Sequence, residues 1–246
     1  MNAEAGIFRR EGRKKRWMLP GLVLFFGVLG VSLLLYPALA DLQNRRFNGR
    51  MYGAYSREVG GMPTEQIEAM WREAEEYNRQ LLEDPARFLM TEEKTAEYRR
   101  LLAPDDTGIM GQITIPAIHC REVIYHGTDE GVLQVGAGHL AGSSLPVGGR
   151  SVHTVLAGHR GLPSARLFTD LDQLAYGDEF FLDILGRTLV YRVDQILVVE
   201  PDDQEPVDIF PDQDYCTLLT CTPYGVNTER LLVRGVREIP EREGGG

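Results

Sequence analysis

The sequence predicts a mainly β domain standing behind an N-terminal membrane helix. Three observations carry this. The run Trp17–Ala40 holds 24 residues without Asp, Glu, Lys or Arg, and crossing the hydrocarbon core takes roughly 20 apolar residues. From Gly108 onward, short apolar runs are separated by turns rich in glycine and proline, the grammar of several short strands closed into an antiparallel barrel or packed as a sandwich. The composition is that of a globular chain, 43% hydrophobic and 25% charged over 246 residues, and 206 residues follow the apolar run, enough for one domain with a sizeable core.

Charge divides along the same line. Residues 1–16 carry six Lys/Arg and two Glu, a net of +4, while the whole chain is at −10 and the part after Ala40 therefore at −14. A basic flank before a span keeps that end in the cytoplasm and sends the acidic body outside. The competing reading is a cleaved signal peptide, because Ala38-Leu39-Ala40 has the small-x-small form of a cleavage site. In either case the body lies outside the cytoplasm. The acidic balance argues against a nucleic-acid binder, and three cysteines exclude a disulfide-dense scaffold.

After the basic segment 1–16 and the anchor 17–40, residues 41–107 form a stalk followed by helices. Asp41–Gly61 is polar and reads as a juxtamembrane stalk ending in Gly60-Gly61. Pro63 opens a helical pattern in which Ile67, Met70, Trp71, Ala74, Tyr77 and Leu81 recur at spacings of three and four. Asp84-Pro85 ends it, since the residue before a proline disfavours helix. Thr91 is placed to N-cap a second helix running to Leu102. Residues 108–238 form the β domain, with strands expected at Gln112–Ile118, Glu122–Tyr125, His153–Ala157, Glu179–Leu185, Thr188–Val199, Tyr215–Cys221 and Arg230–Val236. Leu162–Leu174 reads as a short helical turn, and 239–246 as a frayed tail.

The chemistry gathers near the end of the β domain. Cys221 closes the apolar run Thr217-Leu218-Leu219-Thr220-Cys221 just before the turn at Pro223, and a strand end opening into a loop is where a side chain can meet substrate. Strand alternation puts Thr217, Leu219 and Cys221 on one face and Cys216, Leu218 and Thr220 on the other, which makes Cys216 a core residue. An ordinary thiol, with a pKa near 8.5, is only a few per cent thiolate at neutral pH and needs a nearby cation to react. Of the five histidines, His159 follows a strand directly and is flanked by Gly158 and, after Arg160, Gly161. Arg230 opens the last strand nine residues after Cys221, so a hairpin returns it to the thiol. Arg234 shares its face about 13 Å further on.

These residues together resemble a sortase. Thr217-Leu218-Leu219-Thr220-Cys221 matches that family's T-L-x-T-C signature, with His159 before it and Arg230 after it. The blocks Leu145-Pro146-Val147-Gly148-Gly149, Gly158–Ala165 with Leu167–Asp172, and Thr222–Gly235 are similar to the pilus-assembling class C members. The resemblance implies an eight-stranded closed barrel with short peripheral helices. It further implies that the Cys221 thiolate attacks the threonyl carbonyl of an L-P-x-T-G-like sorting signal on a secreted pilin. His159 would serve as general acid and then base, Arg230 would hold the oxyanion, and a lysine amine of another pilin would resolve the thioester. No cofactor or metal is implied. A housekeeping sortase acting on peptidoglycan, or a catalytically inactive assembly scaffold, would share most of these features.

Two departures stand out. Pilin sortases often carry a lid in which Asp-Pro is followed at once by an aromatic residue. Here Asp84-Pro85 precedes Ala86 and Arg87, with Phe88 one helical turn from Asp84. If a lid forms, Asp84 is expected to pair with Arg230 and Phe88 to cover the thiol; otherwise Asp84-Pro85 is a helix stop. Members also often have a second hydrophobic segment near the C-terminus, and this sequence runs out at Gly244-Gly245-Gly246 without one. Either one anchor suffices or the chain is shortened.

Overall fold

The computed structural model describes residues 11–238, with side chains from Pro20 onward. The basic residues before Glu11 and the tail 239–246 lie outside the described residues.

A single helix, α1 (Glu11–Gly61), carries the apolar run and continues through the segment expected to be a stalk. Its first part is long and apolar enough to cross a membrane, and none of that stretch is buried against the rest of the chain. The continuation past Asp41 has a physical cause that polar composition hides. Asn48, Met51, Tyr52, Tyr55 and Val59 lie on one helical face and pack on the domain, with Asn48, Tyr55 and Val59 buried. Asn48 Nδ2 donates to Glu122 Oε2 at 2.7 Å and to the Val135 carbonyl at 2.8 Å. The Tyr55 hydroxyl donates to the Met110 carbonyl at 2.7 Å and accepts from the Leu185 amide at 2.9 Å.

Helix α2 (Thr64–Leu82) buries Trp71, Ala74, Asn78 and Leu81, the face its periodicity predicts. Asn78 fixes the Leu145 backbone in both directions, donating to its carbonyl at 3.0 Å and accepting from its amide at 2.7 Å. Helix α3 (Glu92–Arg100) begins where expected, with the Thr91 hydroxyl accepting from the Lys94 amide at 3.3 Å.

The β domain is a closed barrel of eight strands: β1 (Ile109–Ile115), β2 (Cys120–His126), β3 (Ala137–His139), β4 (Val152–Ala157), β5 (Glu179–Ile184), β6 (Arg187–Val199), β7 (Asp214–Thr222) and β8 (Glu229–Glu238). Around the barrel the order is β1-β2-β3-β4-β7-β8-β6-β5. The closed barrel is as expected, but its pairing is antiparallel only in part, since β2 pairs with β3, and β4 with β7, in parallel. Strand β3 escapes prediction because three residues, Ala-Gly-His, give no alternation to read. A four-residue helix, α4 (Glu130–Leu133), lies in the crossover that joins β2 to β3. The insert after His159 contains one 3-10 turn, Leu171–Gln173. The core includes Ile113, Phe180, Leu182, Tyr191, Leu218 and Val233, all fully buried. Gly235 makes this packing possible, because a Cβ there would sit 2.6 Å from the Phe180 ring.

Glu122 is the unusual member of the α1 contact. Burial, reinforced by Asp41 and opposed by Arg45, pushes its carboxyl up to about 8. Between the unfolded value and that pH the folded state holds a proton that the unfolded chain has lost, so stability falls as pH rises through this window. A tenfold difference in proton affinity between the two states corresponds to roughly 1.4 kcal/mol, an upper bound where the site can relax. Glu122→Gln keeps the hydrogen bond to Asn48 without the charge. Urea unfolding at pH 5 and pH 8 is expected to show the variant gaining stability over the parent, by a few kcal/mol, only at the higher pH. Equal differences at the two pH values would show that Glu122 does not titrate there.

Candidate active site

Alternation along β7 sends Cys216, Leu218 and Thr220 into the barrel, and Cys221 and Leu219 to the outer face, as the sequence predicts. Cys221 is half-buried, whereas Cys120 and Cys216 are buried, and all three thiols are free. Burial holds the Cys216 and Cys120 thiols well above the ordinary range, which disqualifies them as thiolate nucleophiles. Cys120 Sγ also donates to the Leu167 carbonyl at 3.5 Å.

Two strands flank β7. On one side β8 runs antiparallel, with Arg230 directly opposite Cys221; such a pair points to one face with Cβ atoms about 5 Å apart. On the other side β4 runs parallel, with Ala157 level with Leu219. The pairing continues beyond the strand: the Gly158 amide donates to the Leu219 carbonyl at 3.0 Å, and the Thr220 hydroxyl donates to the Gly158 carbonyl at 2.7 Å. Two residues past Ala157 is His159, and two past Leu219 is Cys221. Continued two residues past the end of β4, that register brings His159 level with Cys221, which faces Arg230 on β8.

The other histidines are committed elsewhere. His153 is buried, with Nδ1 against the Asp208 carbonyl at 2.6 Å and Nε2 against the Thr217 hydroxyl at 2.7 Å, and burial lowers it to about 4. His139 is bonded to the Tyr98 hydroxyl and the Ser144 carbonyl, and is lowered to about 4 in the same way. Both nitrogens of His126 face backbone carbonyls, those of Gly108 and Leu101. His119 sits in a left-handed turn between β1 and β2. Arg230 donates from Nη1 to the Asn227 and Glu229 carbonyls at 3.3 and 3.0 Å. By contrast, Arg234 is spent on Asp194, at 3.0 Å from Nε and 2.6 Å from Nη2, and on the face of Tyr215.

Beside Arg230 lies a groove of about 330 Å³, its walls including Phe88, Leu140, Val207, Leu219, Arg230 and Leu232. Phe88 thus lines the same groove as Arg230 and Leu219, and Cys221 is not among the groove's lining residues. Its loop crosses Gly142, whose φ of +91° and lack of a side chain permit the contact, since a Cβ there would lie 2.7 Å from the Phe88 ring. Arg87 ties the same loop to Asp208 across 2.7 Å. The expected pairing of Asp84 with Arg230 is not made. Asp84 turns back on its own segment, where Oδ1 accepts from the Ala86 amide at 2.9 Å and Oδ2 from Lys94 Nζ at 2.5 Å. These local bonds hold its carboxyl below the ordinary range. An Asx-type turn around Pro85 competes successfully for that side chain.

Residues 113–238, about half of the chain, match the sortase domain family. The chain belongs to the sortase family. Among solved structures, sortase C1 from Streptococcus agalactiae is 48% identical with a TM-score of 0.74, covering 77% of this chain and 98% of that one. Streptococcus pneumoniae sortase C, whose structure was described for its catalysis and pilin substrate specificity, is 45% identical with a TM-score of 0.70, over 77% of this chain and 97% of that one. A Clostridium perfringens sortase C, solved with the C-terminal cell wall sorting motif, is 40% identical with a TM-score of 0.68, over 77% of this chain and 98% of that one. Sortase A from Streptococcus agalactiae is 29% identical over 133 residues, 53% of either chain. The match therefore spans about half the length of that curated relative.

In this sortase, Arg160 is a site residue that sequence reasoning passed over. It follows His159, and its side chain is only 8% exposed. It donates from Nη1 to the Thr222 hydroxyl at 3.0 Å, pairs with Asp172, and lies over the Tyr224 ring at 5.9 Å. It thereby clamps the loop after Cys221 to the loop after β4. The available signal was a cation adjoining the histidine, but nothing local shows that it turns inward.

Proposed function

We propose that this chain is a cysteine transpeptidase of the class C type, joining pilin subunits. The observation that supports the reading is that Arg230 faces Cys221 across β7 and β8, while the β4–β7 register, continued past Ala157, leads His159 towards the same place. The Cys221 sulfur attacks the threonyl carbonyl of an L-P-x-T-G-like signal, and Arg230 holds the oxygen as it gains charge. When the carbon–nitrogen bond breaks, His159 gives its proton to the departing glycine amine. The acyl group then rests on sulfur as a thioester. A lysine amine of a second pilin attacks it, His159 takes the proton back, and an isopeptide bond forms as the thiolate leaves. The likeness to sortases C at 38–48% identity supports the pilin assignment over attachment to peptidoglycan. The apolar run of helix α1, preceded by the basic segment 1–16, supports a single-pass anchor with the barrel on the outer side of the cell membrane.

The deciding experiment incubates the full chain with a pilin bearing an L-P-x-T-G tail and analyses the products by mass spectrometry. A thioester at Cys221 and lysine isopeptide-linked multimers are expected. Exclusive transfer to a peptidoglycan stem-peptide amine would favour the housekeeping reading, and no thioester at all would favour the scaffold.

Phe88 lines the groove beside Arg230, and in this reading it serves as the lid while Asp84 braces the lid's own turn. Phe88→Ala is expected to raise the rate at which iodoacetamide modifies Cys221 several-fold. Asp84→Ala is expected to do less, because its bonds run to Lys94 and Ala86 and not to the site. Equal rates in the parent and in Phe88→Ala would show that the groove rests open.

A further inference from the structure

His159 has one neighbour that the proposed reaction does not yet use. Its Nε2 is shut off from solvent, makes no hydrogen bond, and lies at ion-pair distance, 3.4 Å, from Oε2 of Glu130. Glu130 stands at the start of α4, in the crossover between β2 and β3. Its other oxygen is already engaged, with Gln134 Nε2 donating to Oε1 at 3.1 Å. The carboxylate is thus held from behind by Gln134 while its free oxygen is turned to the imidazole. Both contacts, Gln134 first and His159 second, keep this carboxyl below its ordinary range.

The other charged groups around the ring point elsewhere. Arg160, on the same loop, is turned to Asp172 and Thr222. Asp129, beside Glu130, faces Arg99 at 3.6 Å. On the sheet side stand Cys221 and Arg230, opposite each other on β7 and β8. Among the described residues, Glu130 is the one carboxylate that pairs with His159.

We propose that Glu130 is a positioning residue for the general acid: it holds His159 by Nε2, leaving Nδ1 as the nitrogen that faces the reaction. The inference rests on the reading of His159 as that acid. An imidazolium has two N–H groups, and fixing one against a carboxylate decides which one can move its proton. In the first half-reaction Nδ1 releases its proton to the leaving glycine amine, and the neutral ring keeps the proton on Nε2, facing Glu130. In the second half-reaction Nδ1 accepts the proton lost by the lysine nitrogen, which restores the imidazolium. Glu130 stays ionised throughout. The Glu130 side chain is 70% exposed, so the effect is that of a solvent-screened pair and is modest.

The test measures kcat and KM against pH for cleavage of a Leu-Pro-Glu-Thr-Gly peptide by the full chain in detergent. The parent is compared with Glu130→Gln, Glu130→Asp and His159→Ala. In Glu130→Gln the pH profile of kcat is expected to differ from that of the parent. At neutral pH kcat should fall a few-fold while KM stays unchanged, because Glu130 does not touch the substrate. Glu130→Asp should fall between the two, and added salt should draw the parent profile towards that of Glu130→Gln. A Glu130→Gln profile that superimposes on the parent, with His159→Ala inactive, would overturn the role of Glu130 alone. Parent-like activity in His159→Ala would overturn both this role and the acid assignment beneath it.

Discussion

Replacing Cys221 by Ala is expected to abolish peptide cleavage and thioester formation while leaving the barrel folded. The loss should reach about 10⁵-fold or more, the scale on which deleting a covalent nucleophile acts in other acyl-transfer enzymes. No other thiol can take over, because Cys216 and Cys120 are buried and their thiols are pushed up, away from ionisation. Stability should change little, since the Cys221 side chain is only half-buried at a strand end. The contrast is Cys216→Ala, where a fully buried sulfur is removed from the core. That variant should lose about 1 kcal/mol of stability and keep near-parent activity per folded molecule. Mass spectrometry after incubation with an L-P-x-T-G peptide, with unfolding curves for both variants, separates the two effects. An inactive Cys216→Ala that unfolds like the parent would contradict the alternation along β7.

That alternation was readable because β7 obeys a local rule. Successive side chains face opposite ways in any strand, so Thr217-Leu218-Leu219-Thr220-Cys221 sorts itself without knowledge of the fold. The hairpin linking Cys221 to Arg230 is nearly as local, and the structure places the two directly opposite each other. What brings His159 level with Cys221 is different in kind. It depends on the parallel pairing of β4 with β7, a contact between segments about 60 residues apart, and no periodicity in either strand encodes it. The resemblance to a family supplied it instead. Helix α1 shows a third case. The polar residues Asp41–Gly61 suggest a stalk, but the Asn48 Nδ2 and Tyr55 hydroxyl groups are buried where β1, β2 and the turn after β5 present partners. Asp84 fails in the opposite direction: a long-range pair with Arg230 was expected, and bonds to Ala86 and Lys94, two and ten residues away, took its place.

Arg230→Lys is expected to be severely impaired although it preserves the charge. The guanidinium already spends Nη1 on the Asn227 and Glu229 carbonyls, which fixes the side chain beside Cys221 and leaves its remaining N–H groups for the substrate. A planar fork can do both at once, because its donors are rigidly arranged around one carbon. A lysine ammonium is a single point: anchored to the loop carbonyls it lies off the oxyanion, and turned to the oxyanion it abandons the loop. Loss of one well-placed oxyanion donor costs about 10²–10³ in rate, and the variant should fall in that range in kcat/KM, mostly through kcat. Arg234→Ala gives the comparison. Its guanidinium is bonded to Asp194 and stacked on Tyr215, so it should lower stability and spare turnover. Steady-state cleavage of a sorting-signal peptide by both variants distinguishes shape from charge. Near-normal kcat/KM in Arg230→Lys would reduce Arg230 to a source of positive field, whereas a collapse confined to Arg234→Ala would transfer the oxyanion role to Arg234.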